Sequence, residues 1–382
     1  MQATEDIVSG TTASGFEAAR AAFAQVAAAE PGLSAQLAVY RHGQQVADLW
    51  TGPGVSADSL LALYSSGKGA AHLVMALLVQ DGAVELDAPV AAYWPEFAAE
   101  GKGSITVREL LSHQAGLIGV EGGFTLAELA DDQVLAARLA GQKPWWEPGT
   151  AYGYHAFVIA ALTGEVMRRV TGLRLQELFE QRVRAPYGID FHLGLPGSEE
   201  HRYLPVQPLL PHQQAALDAG MPAPDSLTGI AFNLNATPPT DLVTFASDRT
   251  VRALGPGSSG SIGSARGLAL MYAAAISEVG GRAPLLREDV LAEFTAPHTR
   301  GIDVVTGETD HFLLGFEAQA VRYAGLGARA FGHSGAVGAQ AFADPDSGIA
   351  YSYTRRRFSF GGGGGAPENQ QLVAAVVESA TR

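Results

Sequence analysis

At 382 residues, with 47% apolar content, the chain is long enough for one large domain or two lobes around a substantial buried core. The absence of cysteine excludes disulfides, thiolate metal sites and a cysteine nucleophile. A formal charge of −14, with basic residues scattered apart from Arg355-Arg356-Arg357, argues against binding a phosphate backbone, so no nucleic-acid partner is expected. The first residues carry acids where a secretion signal needs a positive stretch, and no apolar segment follows. Apolar runs such as 73–79 fall far short of the roughly 20 residues that cross a bilayer, so the expectation is a cytoplasmic protein without membrane association.

In chain order, residues 16–29 read as a helix, with Phe16, Ala19, Phe23 and Val26 on one face. Residues 35–40 and 46–50 read as strands joined by a hairpin turn at 41–44. From Lys68 to Gln80 the pattern is apolar nearly all round, which in a helix means burial on every side, and Asp81-Gly82 stops it. Between 86 and 264 helical patterns prevail (107–112, 126–139, 155–171), and no strand alternation persists. Residues 197–264, rich in Pro, Ser, Asn and Gly, are too long for an ordinary connector and suggest a functional loop or lid. Strand signals return at 312–320, 328–332, 339–343 and 349–354, with a turn at 344–348. The glycine run 361–365 reads as a loop, and a helix from about 368 to 380 closes the chain. The expected fold is therefore α+β: an antiparallel sheet built from the N- and C-terminal segments and flanked by helices, with a mainly helical lobe inserted. The boundaries expected are 1–85 plus 265–382 for the sheet lobe and 86–264 for the insertion and cleft-lining loops.

Three constellations carry chemistry. Ser65-Ser66-Gly67-Lys68 stands where an extended segment, 61–64, meets the all-apolar helix, and a spacing of three puts Ser65 and Lys68 on one helical face. In the first turn Ser65 sits where the helix dipole and free N–H groups favour developing negative charge. Lys68 beside an apolar core loses hydration, which lowers its pKa toward a value at which it accepts a proton, and a serine hydroxyl needs such a base. Taken alone, the spacing equally suits a serine cap and a snorkelling lysine.

The second constellation, Pro148-Gly149-Thr150-Ala151-Tyr152-Gly153-Tyr154-His155, turns into a strongly apolar helix that ends near Gly172. Tyr154 there could present a phenolic oxygen that, near a lysine ammonium, shuttles protons to a leaving group, although packing alone also explains a tyrosine or His155 at this place. No histidine pair has metal-ligand spacing, so neither a metal nor another cofactor is expected. The third is Phe331-Gly332-His333-Ser334-Gly335-Ala336, where two glycines allow backbone to approach a substrate and the Ala336 N–H can pair with that of Ser65 as an oxyanion hole. A rival reading makes Ser334 the nucleophile of an α/β-hydrolase elbow. That elbow needs a following helix, and 337–343 is strand-like instead.

In this order and spacing the three constellations resemble the serine β-lactamase-like superfamily, in particular its branch of class C β-lactamases, D-alanyl-D-alanine carboxypeptidases and family VIII carboxylesterases. Further likeness runs through VRELLSHQAGL at 107–117, Pro148-Gly149-Thr150, 263–268 and 342–346, so that the resemblance covers roughly 33–356. It implies that Ser65 and Lys68 match the S-x-x-K pair, Tyr154 the tyrosine of Y-x-N, and His333-Ser334-Gly335 the K-T-G strand motif. Two departures stand out: Ala156 replaces the asparagine of Y-x-N, and His333 replaces the lysine of K-T-G. Both weaken recognition of an anionic β-lactam or peptide carboxylate, and esterases of this superfamily commonly carry such replacements. His113 and its neighbours read as support for the fold.

The function expected is hydrolysis of a small-molecule carboxylic ester, with a short or medium acyl chain, through an acyl-enzyme on Ser65. Lys68 and Tyr154 would move the protons, the N–H groups of Ser65 and Ala336 would hold the oxyanion, and Gly335 would let the strand come close. His333 would orient the leaving group or Tyr154. His155, Trp145, Trp146 and residues 197–264 are candidates for substrate contact along the cleft wall. The same machinery also suits a β-lactamase, a D-amino-acid peptidase or amidase, or an acyltransferase, and a catalytically silent binding protein is the alternative from another class.

Overall fold

The computed structural model describes residues 7–309, 311–359 and 365–381. All of the glycine run 361–365 except Gly365 lies outside them. In chain order the strands are β1 (Ser9–Thr12), β2 (Ala35–Arg41), β3 (Gln44–Thr51), β4 (Leu61–Ala62), β5 (Phe191–His192), β6 (Ile262–Gly263), β7 (Glu317–Ala318), β8 (Phe331–Ser334), β9 (Gln340–Asp344) and β10 (Ile349–Arg355). Seven of them form one sheet in the order β1-β3-β2-β10-β9-β8-β7, and every pair is antiparallel. The sheet is drawn from both ends of the chain and joined at β2–β10, the architecture expected from the sequence. The β2–β3 turn places His42 and Gly43 at φ 47° and 77°, a double left-handed turn whose twist matches that of the strands it joins.

Alternation along the central strands decides the layers. Leu37 and Val39 of β2 and Ile349, Tyr351 and Tyr353 of β10 face one way, into a core shared with the terminal helices Glu17–Ala29 and Asn369–Thr381. Ala38 and Ala350 face the other way, toward the main core. These residues are small, so the helix Ala265–Ile276, itself rich in alanine, packs closely on β2, β9 and β10. The main core runs through both the sheet-forming and the helical parts of the chain, and the helix Lys68–Gln80 crosses it, buried from Lys68 to Leu78. Among the described residues no helix is long and apolar enough to cross a membrane.

Several expectations need correction. The pattern at 126–139 is two helices, Leu126–Leu129 and Asp132–Ala140, because Asp131 turns its carboxylate to the Gln133 N–H and starts a new helix there. The helix expected from 155 begins only at Ile159; ahead of it the chain is held by tertiary contacts, Asp303 accepting from Tyr154 N–H and His113 from His155 N–H. The strand expected at 312–320 shrinks to β7, because Gly315, at φ 81°, reverses the chain. Residues 197–264 are not an open loop but a series of short helices, among them Pro211–Ala219, Leu227–Ala231 and Leu242–Ser247, plus β6. β4, β5 and β6 make a small second sheet whose two-residue strands are too short to leave an alternating pattern. The helix Ala265–Ile276 was not anticipated; Ser264 caps it by accepting from Gly267 N–H.

Arg355, only 2% exposed, ties three elements together: it leaves β10 to pair with Glu30, after the first helix, at 2.7 Å and with Glu368, before the last. Arg355→Ala leaves Glu368 without its arginine and Glu30 with only the longer contact to Arg357 at 3.8 Å. The expected loss is about 2–4 kcal/mol of unfolding free energy, reduced from the fully buried case because Glu30 keeps some solvent, read as a lower urea midpoint at unchanged slope.

Candidate active site

The position of Ser65 is set by a strained turn. Between β4 and the Lys68–Gln80 helix the chain makes one short 3-10 turn, Tyr64–Gly67, with Tyr64 at φ 49°, a left-handed conformation costly for an aromatic residue. Surrounding contacts hold it there: the Ser261 hydroxyl donates to the Tyr64 carbonyl (3.0 Å), the Tyr64 hydroxyl donates to Leu242 O (2.7 Å), and the ring packs edge-on against Phe358. The turn leaves Ser65 half-buried in the wall of a cavity of about 470 Å3.

Lys68 is fully buried one turn on, with its Nζ 2.9 Å from Ser65 Oγ and 2.6 Å from each of two backbone carbonyls, Ala156 O and Ser258 O. Burial pushes its pKa well below the ordinary lysine value, against a weaker upward pull from Glu317 and Asp132. A neutral amine has two N–H bonds and one lone pair. With the two carbonyls taking the N–H bonds, the lone pair is left for the Ser65 hydroxyl. The carbonyls are themselves secured: Asp132 accepts from Gly257 N–H (2.9 Å), and Ser258 Oγ accepts from Ala160 N–H (2.9 Å) at the start of the Ile159–Thr171 helix.

Tyr154 meets Ser65 from the other side, its hydroxyl 2.8 Å from Ser65 Oγ. Burial raises its pKa well above that of a free phenol, although the Ser65 hydrogen bond works the other way, so it stands as a neutral proton donor. Its backbone is clamped by the 107–117 segment. Gly153 N–H donates to His113 O (3.0 Å), His155 N–H to His113 Nδ1 (3.1 Å), and Leu117 N–H to His155 Nε2 (3.1 Å). The ring lies against Phe312, His113, His333 and Phe232.

The end of β8 supplies the opposite wall. Gly335 has no room for a side chain, because a Cβ there would stand 2.3 Å from Leu63 O and 2.9 Å from Ser66 Oγ, so only glycine lets the strand end meet the nucleophile turn. Ala336 follows in the cavity wall. The chain after β8 turns into β9, without the helix a nucleophile elbow requires, and Ser334 Oγ donates to Glu317 Oε1 (2.8 Å).

Ser65, Lys68, Tyr154, Gly335 and Ala336 are thus brought together, whereas His333, His155 and Trp146 are not in the cavity wall. His333, 1% exposed, packs behind Tyr154 with Nδ1 near Ser334 O (2.8 Å) and Glu317 (3.3 Å), so it backs the tyrosine and does not face a leaving group. Burial takes its pKa down to about 4, against the pull of Glu317, leaving it uncharged at neutral pH. His155 is enclosed with both ring nitrogens engaged by backbone, and Trp146 packs edge-on against it while donating to Ala151 O (3.1 Å). Both shape the Tyr154 turn. Trp145 donates to Gly119 O and packs in the same place.

Some site residues left no sequence signal. The carbonyls of Ala156 and Ser258 act through main chain, which any residue has. Glu317 is a buried carboxylate in the cavity wall that accepts from both the Ser334 N–H (3.0 Å) and hydroxyl; burial opposes its charge, but His333, Arg322 and His311 around it outweigh that and bring its pKa down to about 2. Glu308 and Arg322 pair beside it at 2.5 Å. Among the described residues no group of three or more His, Asp or Glu side chains is arranged to hold a metal ion.

With this geometry established, the chain's relatives can be placed. The chain belongs to the Beta-lactamase family, whose model matches residues 19–375. It is 31% identical over 339 residues to the Esterase/beta-lactamase LipL of Mycobacterium tuberculosis, covering 84% of this chain and 76% of that protein. Its fold matches the solved structure of EstA from Arthrobacter nitroguajacolicus Rue61a at a TM-score of 0.90 and 42% identity, covering 98% and 99% of the two chains. A family VIII carboxylesterase structure matches at a TM-score of 0.87 and 33% identity, covering 97% and 99%.

Two outcomes follow. Labelling of Ser65 by a fluorophosphonate should speed up with pH as Lys68 loses its proton and level off well below the ordinary lysine value of 10.5. In Glu317→Gln, which removes the stronger of the two carboxylate charges stabilising the lysine ammonium, the midpoint should move to lower pH. His155, His311 and His333 have folded pKa values near 4 against 6.5 unfolded, so between those values the unfolded chain binds more protons. A series of Tm measurements should therefore fall as pH is lowered from about 6.5 to 4; a flat profile there would contradict neutral buried histidines.

Proposed function

We propose that this protein is a serine hydrolase of small-molecule carboxylic esters, acting through an acyl-enzyme on Ser65. The observation that carries this reading is the position of Ser65 Oγ between a desolvated lysine amine at 2.9 Å and a neutral phenol at 2.8 Å. In the reading, the Lys68 lone pair takes the Ser65 proton as Oγ attacks the ester carbonyl. The N–H groups of Ser65 and Ala336 receive the oxyanion, with donors held in place before the charge develops. Tyr154 gives its proton to the departing alkoxide and recovers one from Lys68. Water, activated by the same pair, then cleaves the acyl-enzyme, releases the acid and restores Ser65.

The preference for an ester over a β-lactam rests on charge. An uncharged histidine stands where the K-T-G motif has its lysine. The cavity wall holds Glu308 and Glu317 against a single guanidinium, Arg322, a formal balance of −1 that repels a substrate carboxylate. The names of EstA and of the family VIII carboxylesterase point the same way. That of LipL couples esterase with beta-lactamase, which makes β-lactam hydrolysis the second reading to test.

The test is steady-state hydrolysis of p-nitrophenyl butyrate beside a chromogenic cephalosporin. The ester should be the better substrate. Ser65→Ala should lose at least about a thousandfold in kcat, and Tyr154→Phe about a hundredfold or more. Faster turnover of the cephalosporin would reverse the order of the two readings, and full ester activity in Ser65→Ala would remove the nucleophile.

A further inference from the structure

The cavity that holds Ser65 has a neighbour. A second cavity, of about 310 Å3, lies under the short helices of 211–243, and Leu217, Thr228, Phe232 and Leu242 line both. Beyond these shared residues its wall is mainly apolar, with Phe358 at the base and Met221, 46% exposed, at the rim. Its polar side chains are already engaged by protein. Thr228 donates to Val305 O (2.5 Å), Thr240 Oγ1 accepts from Asn233 (2.8 Å), Asp241 accepts from Thr244 N–H (2.7 Å), and Gln214 donates to Asp218 (2.8 Å). A ligand here is offered dispersion and dehydration, with little call for hydrogen bonds.

The covering helix adds little to the core. None of the nine residues of Pro211–Ala219 is buried, and Leu217 is its one side chain that packs against the main core. That contact lies where the two cavities adjoin. The wall of the Ser65 cavity also holds Glu308, Glu317 and Arg322, none of which lines the second cavity. The cleft therefore has one polar and one apolar direction away from the reacting oxygen.

We infer that the second cavity is a binding annex for the hydrocarbon chain of the ester, so that chain length is the property by which this enzyme selects substrates. The inference rests on the ester-hydrolase reading above and deepens it. The chain can belong to the acyl or to the alcohol part, since both leave the same carbonyl carbon, and two substrate series separate them.

One series lengthens the acyl group of p-nitrophenyl esters from acetate to octanoate; the other lengthens the alkyl group of butyrate esters, followed by acid release. Along the series that enters the annex, kcat/KM should rise about fourfold for each methylene until the annex is full. Val243→Phe fills the annex from its own wall, and Met221→Trp closes it at an exposed rim position where the fold has little at stake. In both, the rise should stop at shorter chains, while a rise in only one series identifies the part that is bound. Flat profiles in both series, or a rise unchanged in both variants, would overturn the annex while leaving a Ser65-dependent esterase intact. Absence of any Ser65-dependent ester hydrolysis would overturn the ester reading and the annex together.

Discussion

The dehydration of one amine is the constraint around which the site is arranged. An ammonium held away from water is costly, and the cost falls when the proton leaves. Lys68 is placed in that position by the helix Lys68–Gln80, which is buried nearly from end to end, and it is kept from wandering by two carbonyls at 2.6 Å. Those carbonyls come from chain segments about 90 and 190 positions away, so the base exists only when the helical region and the sheet region have packed on one another. A hydrophobic core thereby acts as a chemical reagent. It lowers the proton affinity of a surface-type side chain that stands beside the Ser65 hydroxyl, the condition the proposed base must meet.

The remainder of the site holds geometry against strain. Tyr64 sits in the left-handed region so that Ser65 faces the cavity, and hydrogen bonds at its carbonyl and its hydroxyl offset the penalty. Tyr154 belongs to an extended turn whose donors are taken by Asp303 and His113, so it cannot relax into the helix that follows. The histidines around it are neutral, packed as polar aromatic rings, and act on the substrate only through the tyrosine they support. Glu317 joins this framework from the strand side, gripping Ser334 by two hydrogen bonds just before Gly335 and Ala336 in the cavity wall. Stability and catalysis share these contacts, which makes the site a region where acid, by charging buried histidines, acts on both.

The cleft is chemically asymmetric, and the asymmetry comes from parts of the chain of different kinds. The polar side is built by residues near the regular sheet, where ion pairs such as Glu308–Arg322 are half enclosed. The apolar side is built by short helices of 197–264, of which Pro211–Ala219 buries no residue, whereas Leu227–Ala231 and Leu242–Ser247 are anchored by buried side chains such as Ile230 and Phe245.

What could be read from the sequence was whatever depends on local period and local chemistry. The all-apolar run after Lys68 marked a buried helix, alternation marked β2, β3, β9 and β10, and the order of the three motifs marked the fold. Ser65, Lys68 and Tyr154 were legible because each needs a particular side chain. The carbonyls of Ala156 and Ser258 were not, since a peptide carbonyl looks the same in every sequence; position 156, which lacks the motif's asparagine side chain, holds the lysine through its main-chain oxygen. His155, Trp146 and His333 suited substrate contact by their position in the chain, yet tertiary packing turned each away from the cavity and toward the turn that carries Tyr154. The late start of the helix in the 155–171 pattern was decided likewise, where Asp303 and His113 hold the backbone of Tyr154 and His155 from afar. Sequence by itself determined which side chains were available and which segments had to be buried. Only the tertiary structure decided which carbonyls meet Lys68, which rings face the substrate and where an apolar space lies open, because those depend on contacts between residues far apart in the chain.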